Sequence, residues 1–143
     1  GVFFGMRLEH DEIDLAGAVM EGVAHLLRLN IDAFRAAGIS ATSVIATGGG
    51  ARSDYWSQVK ANVTGCTIDV PQNEEAGLLG AAMIGAVQEG IYASFAEAVD
   101  DVVSIAKSFE PGHADRYEKK HTLFKTVYHQ LESAFAQARS IRI

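Results

Sequence analysis

Ser43-Val44-Ile45-Ala46, followed directly by Thr47-Gly48-Gly49-Gly50-Ala51-Arg52-Ser53, decides how this sequence folds. Val44, Ile45 and Ala46 read as a short buried strand. The three glycines after it let the backbone take positive φ and admit a flat ligand where a Cβ would block it. Ser53 and Asp54 then open a helix, whose first unpaired N–H groups point back at the glycines. Strand, glycine turn and helix N-terminus make an arrangement suited to a nucleotide. The same turn without a ligand is simply a tight strand-to-helix connection, and the glycines alone do not separate the two readings.

On the N-terminal side, Asp11 caps a long helix in which Ile13, Ala16, Met20, Val23, Leu27, Ile31 and Phe34 recur at spacings of three and four. It ends near Ala37, with Gly38 just beyond. The strand at the glycine turn extends from Thr42 to Thr47. On the C-terminal side, Ser53 to Thr64 is a helix carrying Tyr55, Trp56 and Val59, and Gly65 closes it. Cys66 to Val70 is a second strand, stopped by Pro71. After Gln72-Asn73 a helix runs from about Glu74 to Glu89, with Gly90 at its end. Ser94-Phe95-Ala96-Glu97 is a capping box for a short helix to about Val103. Beyond the break at Phe109-Glu110-Pro111-Gly112, a last helix carries Tyr117, His121, Phe124, Tyr128, Leu131, Phe135 and Ala138 along one stripe.

Alternating helices and short strands predict an α/β domain built on a short parallel sheet flanked by helices. Two strands are few for so many helices, because open sheets usually have about four or more. Val2–Met6 is a candidate third, and Gly1-Val2-Phe3-Phe4 reads like the middle of a strand. The expectation is therefore that further strands precede Gly1.

The chain has 143 residues, 48% of them hydrophobic, which is one domain's length with a substantial core. Its net charge of −6 and the absence of a Lys/Arg cluster larger than Lys119-Lys120 argue against nucleic acid as a partner. The longest apolar run, Ala76 to Val87, is too short to span a bilayer, and no membrane partner is expected. The single Cys66, in an apolar strand, reads as a small core residue in a reducing compartment.

Several motifs compete for function. Gly48-x-Gly50-x-x-Ser53 approximates a dinucleotide fingerprint, and Asp69 lies near the end of the next strand where a ribose-binding acid would stand; the third glycine is missing. Gly77, Ala81 and Gly85 form a flat strip on one helix face, suited to tight internal packing or to a domain interface with Glu74 and Glu75 at the helix N-terminus. The five histidines show no metal-ligand spacing, and His121, on an apolar stripe, reads as a hydrogen-bonded core residue. Ser53 lacks a nucleophile elbow, and Cys66 lacks a cationic setting. The residues describe a binding loop and no catalytic centre.

Taken together, "GVFFGMRLEHDEIDLAGAVMEGVAHLLR", "ATGGGARSDYWSQVKANVTG", "IDVPQNEEAGLLGAAMIGAVQEGIY" and "FEPGHADRYEKKHTLFKTVYHQL" resemble, in this order, the C-terminal part of the FGGY carbohydrate kinases, especially the xylulokinase-like members. The resemblance runs from Gly1 to about Ala134. It implies residues 1–143 as the C-terminal part of the second of two actin-like (ribonuclease H-like) ATPase domains, with its first strands missing. It also implies that Gly48, Gly49 and Gly50 belong to an adenosine-binding motif, with Gly49 and Gly50 letting backbone pass against purine and ribose. Ser53 stands where members often carry a longer polar residue that hydrogen-bonds adenine. Arg52 either adds a contact near the ribose or faces solvent.

None of Asp11, Asp14, Asp54 or Asp69 sits in the family's catalytic-base motif, which lies upstream. The resemblance thus implies a cytoplasmic, ATP-binding piece of a sugar kinase, inactive alone, with Mg²⁺ in the intact enzyme and the sugar held mainly by an absent N-terminal domain. Exposed strand edges would favour self-association of the piece. An NAD-binding domain and a non-catalytic actin-like regulator are the alternative expectations.

Overall fold

The Asp11 carboxylate accepts the backbone N–H groups of Ile13 (2.9 Å) and Asp14 (3.0 Å), and the Asp14 carboxylate accepts the N–H of Asp11 (3.2 Å). This capping box opens α1 (Glu12–Ala36). The helix ends where Gly38 takes φ +83°, while the Ile39 N–H reaches back to Phe34 and the Gly38 N–H to Arg35, a Schellman closure. The structure, a computed structural model, describes residues 1–73 and 75–141. Its further elements are β1 (Ser43–Ile45), a 3₁₀ turn at Gly49–Ala51, α2 (Asp54–Thr64), β2 (Thr67–Pro71), α3 (Ala76–Gln88), α4 (Phe95–Val102), β3 (Ile105–Phe109) and α5 (Ala114–Ser140).

The sheet has the order β1-β2-β3. β1 and β2 run parallel, with Val44 opposite Ile68 and Ile45 opposite Asp69, so β1-α2-β2 is the expected parallel unit. The third strand differs from expectation in identity and direction. Val2–Met6 forms no strand; its backbone is irregular and its side chains are exposed. The position is taken by β3, antiparallel to β2, with Asp69 opposite Ser108 and a register shift at Val70/Pro71. β3 is an edge strand whose side chains are mostly exposed, so no apolar alternation marks it in the sequence.

α2 lies between the sheet and the pair α1/α5. Ile68, Val63 and Ala61 are fully buried around it, and Ala24, Val59, Val63 and Tyr117 form the central cluster with Trp56 against it. Cys66 is completely buried, as a core residue should be, but the Arg35 guanidinium donates to its Sγ (3.2 Å), so the expectation that it lacks a cationic neighbour is corrected. The α1 stripe is only partly used: Ile31 is buried, while Ile13, Val23 and Phe34 are exposed because no described residue covers them. Between α1 and the far half of α5 this leaves an open apolar groove of about 620 Å³, lined by Phe3, Val19, Leu26, Leu123, Phe124 and Phe135 among others.

Of the two readings of the smooth α3 face, the described residues do not show the internal packing. No α3 residue is buried, and α3 packs against α4. Gly77, Ala81 and Gly85 therefore face outward instead of meeting another backbone. α3 starts at Ala76, capped by Glu75 without a side-chain hydrogen bond; the expected start at about Glu74 falls on a residue outside the described ones.

At the α1–α5 contact, His25 and His121 are buried 3.2 Å apart through their Nδ1 atoms, and His121 Nε2 lies 3.1 Å from an Asp32 carboxylate oxygen. The carboxylate accepts, so Nε2 of His121 carries its proton and its Nδ1 is bare; His25 Nδ1–H then donates to it. His121 is the hydrogen-bonded core residue that its place on the stripe predicts.

Candidate functional site

The glycine turn leaves β1 through the Ala46 N–H, which donates to the Asp69 carbonyl (2.8 Å). Gly48 has φ 72° and ψ −165°, a conformation that favours glycine. The chain then tightens: Ala51 N–H donates to Gly48 O (3.0 Å) and Arg52 N–H to Gly49 O (3.3 Å). Of the three glycines that allow positive φ, only Gly48 takes it. The reason is the 3₁₀ turn, whose right-handed backbone carries Gly49 and Gly50 with it.

The remaining glycines serve different ends. A Cβ at Gly50 would stand 3.3 Å from Cζ3 of Trp56, so a side chain there would press on the indole and the ring would have to give by a few tenths of an ångström. A Cβ at Gly49 would meet nothing within 4 Å. Neither backbone conformation nor protein packing demands glycine there, and the face above it is open.

Ser53 and Arg52 border the turn. Ser53 is the N-cap of α2: its Oγ accepts the Trp56 N–H (3.2 Å), and its carbonyl accepts the Ser57 N–H (2.9 Å). One N–H expected to face the loop is thus satisfied within the helix, while the Ser53 O–H keeps a proton to donate. Arg52 is exposed at the turn's end.

Two residues that the sequence reading did not assign to the site support it from below. Lys60 Nζ donates to Gly50 O (2.9 Å) and sits 5.0 Å from the Trp56 ring centroid. Burial lowers the Lys60 ammonium from its ordinary pKa. The signal was the spacing: Ser53, Trp56 and Lys60 follow one another at three and four residues, which puts them on the helix face turned to the glycines.

The candidate carboxylates are structurally engaged. Asp11 and Asp14 form the α1 cap, Asp54 pairs with Lys107 (2.7 Å), and Asp69 accepts the Ser108 hydroxyl (2.6 Å). The Asp69 carboxylate is thus held by the antiparallel β3, a setting that a dinucleotide domain with parallel neighbours would not provide. Among the described residues, no group of three or more His, Cys, Asp or Glu side chains converges as a metal site, and no helix is long and apolar enough to cross a membrane.

A family profile described as "FGGY family of carbohydrate kinases, C-terminal domain" matches residues 1–89. The chain is 30% identical to a xylulose kinase of Staphylococcus epidermidis over 99% of its length and 29% of the relative's. It is 36% identical to the xylulose kinase of Escherichia coli over 92% of its length and 28% of the relative's. A crystal structure titled as a "xyloylose kinase" from Brucella ovis superposes with a TM-score of 0.83 at 29% identity, covering 93% of this chain and 28% of that one. The chain thus spans less than a third of the length of these relatives. They are named as kinases, and neither the dinucleotide-binding nor the regulatory alternative finds support among them. With the profile matching more than half of its residues, this chain belongs to the FGGY family of carbohydrate kinases, in their C-terminal domain.

Proposed function

We propose that this chain forms the adenosine-binding side of an ATP-dependent kinase that moves the γ-phosphoryl group to a sugar or polyol hydroxyl. The observation that carries the reading is Gly49, a glycine whose missing side chain leaves open space that the protein itself does not fill. A purine or ribose laid on this turn would meet bare backbone, with Gly48, Gly50, Arg52 and the Ser53 hydroxyl at its margins. The names of the relatives suggest a xylulose-type acceptor.

In the intact enzyme a base elsewhere would take the proton of the acceptor hydroxyl, whose oxygen attacks the γ-phosphorus while the bond to the β–γ bridging oxygen breaks and ADP leaves. This chain's part is to hold the adenosine end so that the phosphates extend toward that acceptor. Mg²⁺ neutralises phosphate charge when bound, but the described residues present no ligand cluster for it. Mg²⁺ is proposed for the intact enzyme, where most of the sugar contact lies in the N-terminal domain. A cytoplasmic setting and self-association through the exposed Val2–Met6 segment complete the proposal.

The test is a comparison of ATP and NAD binding to the chain and to Gly49→Val. The unmodified chain should prefer ATP, bind it weakly, and show no sugar-dependent turnover. Because a Cβ at Gly49 meets no protein atom within 4 Å, the variant should keep its melting temperature and lose ATP binding. Equal binding of NAD and ATP, or undiminished ATP binding by Gly49→Val, would refute the reading.

A further inference from the structure

The 3₁₀ turn leaves one carbonyl to be satisfied from elsewhere. Gly48 O and Gly49 O accept from Ala51 and Arg52, within the turn. Gly50 O accepts from Lys60 Nζ at 2.9 Å, a charge-assisted bond from two turns further along α2. Lys60 is half-buried and its ammonium lies over the Trp56 ring, the same ring that packs under the Gly50 Cα. Lysine, ring and carbonyl thus meet at Gly50, the residue that follows Gly49.

Resting on the adenosine reading above, we infer that Lys60 is the positioning residue of this nucleotide site, fixing the Gly50 carbonyl so that Gly49 presents flat backbone to the ligand. Lys60 touches the loop and acts on the nucleotide through it. Without its ammonium the Gly50 carbonyl loses a donor, and the turn gains freedom at the position where the ligand needs it rigid. Methionine in place of Lys60 keeps an unbranched stem of similar length over the indole and removes the donor. Arginine keeps the donor and the cation above the ring.

Trp56 is the only tryptophan of the chain, so its fluorescence reports the turn directly. The experiment titrates ATP into the unmodified chain, Lys60→Met and Lys60→Arg while following that emission, and measures amide hydrogen exchange at Ala51 and Arg52 without ligand. Lys60→Met should weaken ATP binding about tenfold and speed exchange at both amides, whereas Lys60→Arg should restore most of each. Retained ATP affinity in Lys60→Met, or a loss equal in the two variants, would overturn the positioning role while leaving the adenosine reading intact. Unchanged exchange at Ala51 and Arg52 in Lys60→Met would overturn it as well. No ATP response from the unmodified chain would instead refute the adenosine reading and the docking role that depends on it.

Discussion

Acid should destabilise this chain through the buried His25–His121 pair. Burial is the main cause that lowers His25 from 6.5 to about 4, followed by the neighbouring His121, with Arg28 and Lys120 adding to it and Glu21 opposing. Burial also lowers His121, with Arg28 adding and the Asp32 hydrogen bond opposing. A folded-state pKa below the unfolded one means that the unfolded chain takes up the proton more readily. The stabilisation is therefore complete above about pH 6.5, declines as pH falls, and levels off below the folded pKa near 4. For His25 alone the two pKa values give a loss of about 2 kcal/mol between pH 7.5 and pH 5, and His121 acts in the same direction. Glu118, lowered by its Arg28 hydrogen bond, contributes stability that is complete above its ordinary pKa of 4.5 and declines as pH falls below it, overlapping the acid end of the histidine window. Urea denaturation at the two pH values measures the difference. His25→Asn retains a donor near the Nδ1 position without an ionisable ring, so it should be less stable at pH 7.5 yet lose much less on acidification. A stability unchanged between the two pH values, or a pH slope equally steep in His25→Asn, would refute the protonation argument.

Ser53→Ala removes the α2 cap and should lower stability by about 1 kcal/mol in thermal or urea melts, with the Trp56 N–H left to water. Phe3, 51% exposed on an irregular apolar segment, should promote association, so sedimentation should be concentration-dependent and shift toward monomer in Phe3→Lys; a single monomeric species at all concentrations would exclude that route.

Helix limits were the most legible part of the sequence because local chemistry sets them. Asp11 and Gly38 bracket α1, and Ser53 and Gly65 bracket α2, where Gly65 takes φ 66°. The parallel partner of β1 was legible too, since Ile68 and Val70 alternate on a buried face. β3 was not, because an edge strand satisfies its backbone on one side and places few demands on its side chains. The same limit applies to Val2–Met6: an apolar run states that burial is wanted, not which partner supplies it. At the site, the glycines were visible as a group, but their separate duties depend on a ring six residues away. Gly50 can be told from Gly49 only when Trp56 is seen beneath it.

The path from β2 to β3 leads through α3 and α4 and closes at a neck. Gln72 N–H donates to Ser104 O (2.9 Å), and Ser104 Oγ donates to Gln72 Oε1 (3.0 Å), so the chain leaves and re-enters the sheet at neighbouring points. With no buried residue in α3 and Ala98 the buried residue of α4, this helical excursion has little of its own to hold it to the rest. It should open as a separate cooperative unit, exchanging its amides far below the free energy of global unfolding while β2 and β3 stay paired. Closing a loop of this length costs little more than closing a shorter one, since the entropy grows only logarithmically. The neck therefore divides the molecule into a core that folds around α2 and a loosely coupled lobe whose melting need not disturb the glycine turn.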